Sequence, residues 1–260
     1  MPVNDELGRR MKDFYETISK TKLMRRTPVA IRIDGKAFHT FTRGMKRPFD
    51  DILIKTMQQT MKYLCENIQG CVLGYTQSDE ITLILIDYQK LTSCAWFDYE
   101  VQKMCSIAAS MATMAFNKYL YDFTPSGDDS GIYYMALEKG AMFDARCFNI
   151  PKEEVANLIY WRQLDATRNS IQMVGQANFS QKVLHGKSCN KIQDMLMLEK
   201  NINWNDFPTY QKRGSCAIKQ IRDISNGEGD YRTEWIIDKD IPIFKGEDRK
   251  YIEDLIYVGE

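Results

Sequence analysis

The chain has 260 residues, with 44% hydrophobic and 27% charged side chains, a globular composition that excludes disordered and fibrous classes. Its 35 basic residues balance its 35 acidic residues, so it lacks the global charge signature of nucleic-acid binding, although a local basic patch remains open. Seven cysteines without a C-x-x-C pair argue against a disulfide framework and a structural zinc site. Because the sequence shows neither a secretory signal pattern nor a bilayer-spanning apolar run, we expect a cytoplasmic protein.

The first 150 residues alternate between helical and strand patterns. Asn4 and Asp5 are candidate caps of an amphipathic first helix, Gly70 is placed to end a later helix, and residues 125–131 form a polar, glycine-containing loop. In chain order the patterns predict a helix at 4–20, a strand at 29–33, a helix at 48–68, strands at 71–76 and 80–87, a helix at 95–120 and a strand at 141–150.

This order of elements is that of the ferredoxin-like βαββαβ unit, in which the third strand is inserted antiparallel between the first two. Asp34 follows the first strand, and Asp79 and Glu80 lie in the turn between the second and third strands. Both positions then fall on the same edge of the sheet. The topology therefore predicts that Asp34 and Asp79 are neighbours, although each alone could be an ordinary turn aspartate that bonds its own backbone.

After residue 150 the pattern becomes mainly helical. Pro151 suits the start of a helix that reaches about Gln176, and Ser188 is a candidate cap of a helix that reaches about Lys200. A basic segment at 210–222 then leads into strand character, with a further strand around Trp235. We expect an α+β protein in which the ferredoxin-like unit, residues 1–150, carries a mainly helical C-terminal extension, residues 151–260, packed on it as one integrated domain.

Two carboxylates at one sheet edge, beside the carbonyl of Gly35, make a hard-oxygen site suited to Mg²⁺. Paired Mg²⁺ ions stabilise the attacking and leaving oxygens of an in-line displacement, which indicates phosphoryl or nucleotidyl transfer. Ser78 could donate a hydrogen bond to a triphosphate, and basic residues that suit one are Arg32, Lys36, Arg43, Lys46 and Arg47. Taken singly, each of these cations could equally be solvated surface charge.

Three further polar residues have competing interpretations. His39 could contact a nucleotide or be a hydrogen-bonded structural residue, and His185 is better explained as structural. Arg146 could contact phosphate, but the pattern on its strand favours an ion pair with Asp144.

The stretches Arg32-Ile-Asp-Gly-Lys-Ala-Phe-His39 and Gly74-Tyr-Thr-Gln-Ser-Asp-Glu80 resemble the signature of the tRNA-histidine guanylyltransferase family, including its Thg1-like branch. The resemblance continues through Trp161-Arg-Gln-Leu-Asp165 and Lys212-Arg-Gly214, and so covers most of the chain. It implies a polymerase-type palm that adds nucleotides to tRNA 5′ ends in the 3′-to-5′ direction. It also implies two Mg²⁺ ions, ATP, GTP or other nucleoside triphosphates as substrates, and a homotetramer.

By this resemblance, Asp34, Gly35 and Asp79 hold the metal, and the two aspartates are the catalytic residues. The resemblance further implies a set of nucleotide contacts, in which the family more often has lysine at the position of Arg47. These are Lys36, Ala37, Phe38, His39, Arg47, Ser78, Asp79, Glu80 and Lys103. Because a neutral chain must concentrate positive charge somewhere to bind tRNA, the candidate phosphate contacts are Lys187, Lys191, Lys212, Arg213 and Lys219.

One segment departs from the family pattern. Eukaryotic members read His-Ile-Asn-Asn-Leu-Tyr-Asn after the tryptophan motif, where this chain has Thr167-Arg-Asn-Ser-Ile-Gln-Met173. That segment is associated with the choice of histidine tRNA, so we expect template-dependent repair of 5′-truncated tRNAs after 5′ adenylylation. The alternatives are a strict guanylyltransferase that adds G at position −1, a palm-type nucleotidyl cyclase, and a non-catalytic RNA-binding module.

Overall fold

The computed structural model describes residues 5–127, 130–223 and 231–259. In this part of the chain a single sheet is formed by six antiparallel strands in the order β4-β1-β3-β2-β5-β6. The strands are β1 (Val29–Gly35), β2 (Cys71–Gln77), β3 (Glu80–Leu85), β4 (Phe143–Asn149), β5 (Ser215–Asp223) and β6 (Tyr231–Asp238).

The helices lie on both faces of this sheet, and several begin at side chains that cap them. Asp5, Asp50 and Ser188 accept hydrogen bonds from the backbone N–H groups three residues later, at 2.7, 2.9 and 3.3 Å. The helices are α1 (Glu6–Met11), α2 (Phe38–Phe41), α3 (Asp51–Asn67), α4 (Val101–Phe123), α5 (Gly131–Lys139), α6 (Lys152–Asn178), α7 (Gln181–Leu184), α8 (Cys189–Lys200), α9 (Thr209–Arg213) and α10 (Lys250–Ile256). In the part of the chain that the structure describes, no helix combines the length and apolar character that crossing a membrane requires.

Strand β3 lies between β1 and β2 and is antiparallel to both, which is the arrangement that the order of elements predicts. Asp34 differs slightly from its expected position, because β1 continues through Gly35 and so includes it. Asp79 occupies the turn between β2 and β3, and Glu80 is the first residue of β3. The two predicted acidic positions therefore meet at one end of the three strands.

The two faces of the sheet carry different kinds of side chain. We call the face that carries Ile31 and Ile33 the covered face; its side chains pack in one cluster with those of α3 and α4.

We call the other face, which carries Ala30, Arg32 and Asp34, the site face. Its apolar end packs against α6 and α10, with Ala30 and Ile84 fully buried, whereas its other end carries the charged residues. The alternation of side chains along β1 thus places core and charge on opposite sides.

The C-terminal part of the chain extends the same sheet. β5 pairs with β2, with Thr76 opposite Ser215. The Tyr75 hydroxyl donates to the Arg213 carbonyl at 2.6 Å, and a Cβ on Gly214 would lie 2.5 Å from the Thr76 carbonyl oxygen. Gly214 is therefore required for the close approach of the segment before β5 to β2. The change of pattern near residue 150 does not separate two sheets.

Several local expectations differ from the structure. The first helix is short and continues as a π-helical turn to Glu16, and its apolar side chains, such as Phe14 and Ile18, are exposed rather than packed. The long helix expected from residue 95 begins at Val101, after a 3₁₀ turn. Helix α5 was not predicted. Asn4 and part of the predicted loop at 125–131 lie outside the described residues.

Candidate active site

Three carboxylates form a row across three adjacent strands. In the register of the sheet, Asp34 of β1 lies opposite Glu80 of β3 on one side and Asp144 of β4 on the other. Directly opposed residues of antiparallel strands project to the same face, so all three side chains stand on the site face. The side chains of Asp34 and Asp144 are 41% and 58% exposed, whereas that of Glu80 is 22% exposed. The row is therefore open to solvent at Asp34.

Asp79 is fixed beside this row by the tight turn before β3. The Gly35 N–H donates to the Asp79 carbonyl at 3.1 Å, which ties the turn to the end of β1. Ser78 has a left-handed backbone conformation, with φ of 49°, and its hydroxyl donates to Asp79 Oδ1 at 3.0 Å. These contacts hold the carboxylate of Asp79 close enough to Asp34 that the negative charge of Asp34 contributes to the raised pKa of Asp79.

Burial is the main cause that raises the pKa of both carboxyl groups. For Asp34, the negative charges of Glu80 and Asp144 add to this effect, and Arg146 and Arg32 oppose it. For Asp79, the hydrogen bond from Ser78 opposes burial. A raised carboxyl pKa means that the ionised form is disfavoured where it stands. The site therefore concentrates negative charge that a bound cation would stabilise.

Glu80 is bound by protein cations. Its Oε2 atom accepts from Arg162 of α6 at 2.5 Å and from Gln77 Nε2 at 3.3 Å, and it lies 3.5 Å from an Arg32 nitrogen. Arg162 is almost fully buried and also donates to Asp165 at 2.9 Å. The sequence identified Glu80 as a nucleotide contact, whereas in the structure Glu80 joins α6 to the sheet. The sequence identified the motif Trp161–Asp165 only by its resemblance to the family. The contact between Arg162 and Glu80 in the folded chain reveals that this motif also joins α6 to the sheet.

The ion pair predicted on β4 is present. Arg146 donates to Asp144 at 3.0 Å, and one of its nitrogens lies 4.0 Å from Asp34. The Arg146 side chain is 59% exposed, so the pair is a surface contact at the edge of the row.

The loop after β1 has an exposed side and a buried side. Lys36 and His39 are exposed, whereas the Phe38 ring is buried and packs against the rings of Phe116 and Phe143 at centroid distances of 5.4 and 5.2 Å. A Cβ on Gly35 would lie 2.3 Å from the Phe38 ring. The side chain of Phe38 therefore anchors the loop in the core. Of the predicted loop contacts, Lys36 and His39 have exposed side chains that are available to a nucleotide.

Two adjoining clefts lie between this loop and α6. The larger, of about 280 Å³, is lined by His39, Lys46 and Arg47 on one side and by Met173 and Gln176 on the other. A narrower one, of about 80 Å³, reaches the turn before β3. Its lining includes Ser78, Asn169, Ser170, Met173 and Tyr210. The predicted nucleotide contacts His39, Arg47 and Ser78 are thus brought to one continuous depression beside Asp79.

Lys103, the remaining predicted nucleotide contact, does not line either cleft. It is exposed in the first turn of α4, and its ammonium group lies 4.7 Å from the centre of the Phe97 ring. Two residues further along α4, the sulfur of Cys105 lies 3.5 Å from that of Cys147 on β4. Cys147 is opposite Ile31 in the sheet and therefore projects to the covered face, not to the face of Asp34. Helix α4 also packs on the covered face. Within one chain, Lys103 is therefore not part of the carboxylate site.

The candidate tRNA contacts divide into buried and exposed residues. Lys212 is 8% exposed, and its ammonium group donates to the Asn205 carbonyl at 2.5 Å. Burial lowers its pKa, and the positive charge of Arg213 adds to this effect. The prediction of Lys212 as a surface phosphate contact was therefore wrong, because its charge is satisfied inside the fold. Lys187, Lys191 and Lys219 are exposed, and Arg213 is half-buried beside Trp204.

His185 also lies apart from the carboxylates, where it lines a separate cleft with Lys187 between α6 and α8. Within residues 5–127, 130–223 and 231–259, no three His, Cys, Asp or Glu side chains are grouped so as to hold a metal by themselves. A metal site at Asp34 and Asp79 would therefore need oxygen ligands from the backbone, substrate or water, as Mg²⁺ sites in phosphate chemistry commonly do.

The chain matches solved structures over almost its whole length. A bacterial tRNA(His) guanylyltransferase (Thg1)-like protein in complex with ATP is 44% identical, with a TM-score of 0.84, and the match covers 97% of this chain and 100% of that one. A second such structure, in complex with GTP, is 41% identical with a TM-score of 0.80, covering 98% and 100%. The fold, with its carboxylate row beside a cleft, is thus that of a nucleotidyltransferase.

Sequence comparisons define the family. The family model for tRNAHis guanylyltransferase, Thg1, matches residues 8–151. "Uncharacterized protein R259" of Acanthamoeba polyphaga mimivirus is 31% identical over 241 residues, covering 86% of this chain and 80% of that protein. A probable tRNA(His) guanylyltransferase of Dictyostelium discoideum is 25% identical, covering 79% and 80%. The chain belongs to the tRNA(His) guanylyltransferase (Thg1) family, which confirms the resemblance seen in its motifs.

Proposed function

We propose that this protein is a magnesium-dependent enzyme that adds nucleotides to tRNA 5′ ends in the 3′-to-5′ direction and repairs 5′-truncated tRNAs by copying the opposite strand. The observation that carries the proposal is the pairing of Asp34 and Asp79 at one sheet edge, beside a cleft lined by His39 and Arg47. This arrangement supports a polymerase-type palm, in which carboxylates and a triphosphate site meet at the end of a sheet.

Mg²⁺ fits the donor set on chemical grounds. Asp34 and Asp79 would hold it together with the Gly35 carbonyl. Because burial, with a smaller contribution from neighbouring carboxylates, raises the pKa of both carboxyl groups, a bound cation would stabilise their ionised forms. When bound, Mg²⁺ stabilises the negative charge that develops on phosphoryl oxygens. The protein contributes the fixed spacing of the two carboxylates, which the Ser78 turn and the hydrogen bond from Gly35 maintain.

The side chains around the cleft suit a triphosphate. Lys46 and Arg47 are exposed cations that line the larger cleft, Lys36 is exposed in the loop after β1, and the Ser78 hydroxyl lies at the turn. In the reaction that the family implies, a 5′ monophosphate is first adenylylated, with release of pyrophosphate. The 3′-hydroxyl of the incoming nucleotide then attacks the activated 5′ phosphorus, and AMP leaves. An RNA with a 5′ triphosphate would bypass the first step and release pyrophosphate in the second.

Template copying is supported by what residues 167–173 do in the fold. Thr167 donates to the Gln163 carbonyl at 2.9 Å, and the Ser170 hydroxyl lies 3.2 Å from both the Lys212 carbonyl and Trp204 Nε1. Arg168 pairs with Asp165. The polar groups of Thr167, Arg168 and Ser170 are thus engaged within the protein, which leaves this segment fewer free donors and acceptors with which to read the edge of a guanine. A pairing strand would supply that recognition and would require the protein to bind only backbone and shape.

The test uses a 5′-truncated, monophosphorylated tRNA in which only the base opposite the first missing position is changed. With C in that position we expect addition of G, and with A we expect addition of U. We expect the preferred nucleotide to exceed the others by about a hundredfold in kcat/KM, as a few kcal/mol of discrimination implies. Sequencing of the extended 5′ ends measures the outcome. The Asp34→Asn variant controls for contaminating activity.

Strict tRNA(His) guanylyltransferase activity is the second candidate, because relatives such as the Dictyostelium protein carry that name. Addition of G opposite A, confined to histidine tRNA, would establish it and refute template copying. Family membership gives no support to the cyclase or to the non-catalytic module. The homotetramer and the cytoplasmic location remain predictions.

A further inference from the structure

Trp161 is a large aromatic residue exposed close to the carboxylate row. Its side chain lies on α6, and the residue is 51% exposed, whereas Trp96 and Trp204 are each 6% exposed. The next residue, Arg162, is the one that binds Glu80. An exposed indole in such a charged environment is unusual enough to require a reason, because burying it elsewhere would stabilise the fold.

Two arginines approach the Trp161 ring from one side. The guanidinium carbons of Arg32 and Arg162 lie 5.5 and 4.5 Å from the ring centre. Both groups also reach the same oxygen, Glu80 Oε2, at 3.5 and 2.5 Å. Cations on opposite faces of the indole would stand too far apart to share that oxygen. The face of the ring towards the sheet is therefore occupied, and among the described residues the 51% exposure of Trp161 leaves its opposite face to solvent.

These contacts also fix the ring in place. Arg162 is 4% exposed and is held by Glu80 and Asp165, so it cannot follow a mobile indole. Cation–π contacts hold an aromatic ring most firmly when the cation is removed from water. The result is a rigid, solvent-facing aromatic plane beside the carboxylates, which is the type of surface on which proteins stack unpaired nucleic-acid bases.

The position of Trp161 along α6 indicates from which side a base stacked on it would approach the carboxylates. The larger cleft, which has Lys46 and Arg47 on one side, is lined on the other by Met173 and Gln176, at least 12 residues beyond Trp161 along α6, or about 18 Å. Glu80 adjoins the Trp161 end of this helix, and Ser78 adjoins the cleft. The carboxylates thus stand between the two, so a nucleotide in the cleft and a base on Trp161 would reach them from opposite sides.

We propose that Trp161 stacks on an unpaired base at the acceptor end of the RNA, and so positions the 5′ end beside Asp34. The inference rests on the proposed function only in that it takes a tRNA end as the substrate. It does not depend on template copying. Trp161 is a positioning residue in this proposal, because it contacts the RNA and not the reacting atoms.

The first experiment measures tryptophan fluorescence during titration with a tRNA acceptor-stem duplex that carries unpaired 3′ nucleotides. We expect quenching in the unaltered protein that is lost in Trp161→Phe. The matched control is Trp235→Phe, because Trp235 is also partly exposed and has Lys219 5.3 Å from its ring centre. Quenching should persist in this control. Equal quenching in Trp161→Phe and the unaltered protein would overturn the proposal.

The second experiment measures RNA affinity by fluorescence anisotropy of a labelled duplex. Trp161→Leu keeps an apolar side chain but removes the aromatic plane, and we expect it to raise Kd about tenfold or more, whereas Trp161→Phe should raise it about threefold or less. A blunt duplex should bind both variants alike. The Kd for ATP should be unchanged.

Three results would contradict the proposal: an unchanged Kd for Trp161→Leu, equal weakening on the blunt duplex, or quenching of Trp161 by ATP or GTP alone. If Trp161→Leu does not fold, as judged by its thermal melt, the quenching comparison with Trp161→Phe still decides. Because neither experiment measures incorporation, failure of template copying would leave both readouts intact.

Discussion

The two faces of β1 differ within a single strand. Ile31 and Ile33 are buried in the cluster beneath α3 and α4, and the alternate residues Arg32 and Asp34 belong to the charged row on the other face. The covered face has no titratable side chain from β1, whereas the site face has two within three residues. A shift of one residue in register would exchange the faces and destroy both core and site.

The comparison shows that the side chains that stabilise the fold and those that form the site lie on opposite faces of one strand, and not in different segments of the chain. The same backbone that supplies the core holds the carboxylates at fixed spacing, so the site is built on a rigid element and not on a mobile loop. Ile33 and Asp34 are neighbours in sequence, yet substitutions at the two positions should have opposite consequences.

The largest effect should come from the site face. Asp34→Asn or Asp79→Asn should lower kcat/KM for nucleotide addition at least about a hundredfold, because each removes a carboxylate suited to metal binding. Neither variant should lose stability. The raised pKa of Asp34 means that the folded state holds a proton more tightly than the unfolded chain, so ionisation at neutral pH destabilises the fold and asparagine removes that cost.

Radioactive nucleotide incorporation and thermal melts without Mg²⁺ measure the two quantities. Asp144→Asn is the matched control, since Asp144 belongs to the same row but pairs with Arg146, and its activity should stay within about threefold. Unfolding of Asp34→Asn, or loss of activity in Asp144→Asn alone, would contradict the assignment.

On the covered face, Ile33→Ala should lower the free energy of unfolding by about 2–5 kcal/mol, because Ile33 is 1% exposed and the truncation leaves a cavity. Activity per folded molecule should remain. Urea denaturation and an active-site titration separate the two effects. A stable Ile33→Ala variant that has lost activity would show that the faces are not independent.

The smallest effect should come from charge far from both faces. Lys187→Gln removes one exposed cation, and we expect RNA binding to weaken a few-fold, with the slope of log Kd against log salt concentration reduced by about one. Lys212→Gln tests the contrast between exposed and buried charge. It should lower the melting temperature because the Asn205 carbonyl loses its donor. An equal change in salt slope for both variants would restore Lys212 as a surface contact.

Local patterns predicted the elements that carry the carboxylates. The apolar run before Asp34, the two strands around Asp79 and the order of helices were sufficient to bring the two acids to one sheet edge. Ser188 was identified as a cap for the same reason, since an N-cap depends on residues three positions apart. The paired carboxylates indicated phosphoryl or nucleotidyl transfer, and the family motifs then specified the 5′ end of tRNA as the substrate.

The remaining differences arise from tertiary contacts. Lys212 and Arg213 form a basic pair in sequence, but only the packing of Trp204 and Asn205 around Lys212 buries its charge. The family resemblance placed Phe38 in the nucleotide loop, while in the structure its ring belongs to the core. Helix α5 buries Ala136 but exposes Tyr134 and Met135, so its apolar residues do not form the single stripe from which helices are predicted.

The pairing of β2 with β5 has a consequence for how the chain is made. Thr76 meets Ser215 only after about 140 further residues have been synthesised, whereas β1, β3 and β4 complete the carboxylate row by residue 149. Until β5 arrives, β2 is an unprotected edge whose residues Gly74 to Thr76 lack their partner strand. The nascent chain therefore has its carboxylate row before β5 covers the edge of β2, and we expect pairing with β5 to protect that edge from pairing with other chains.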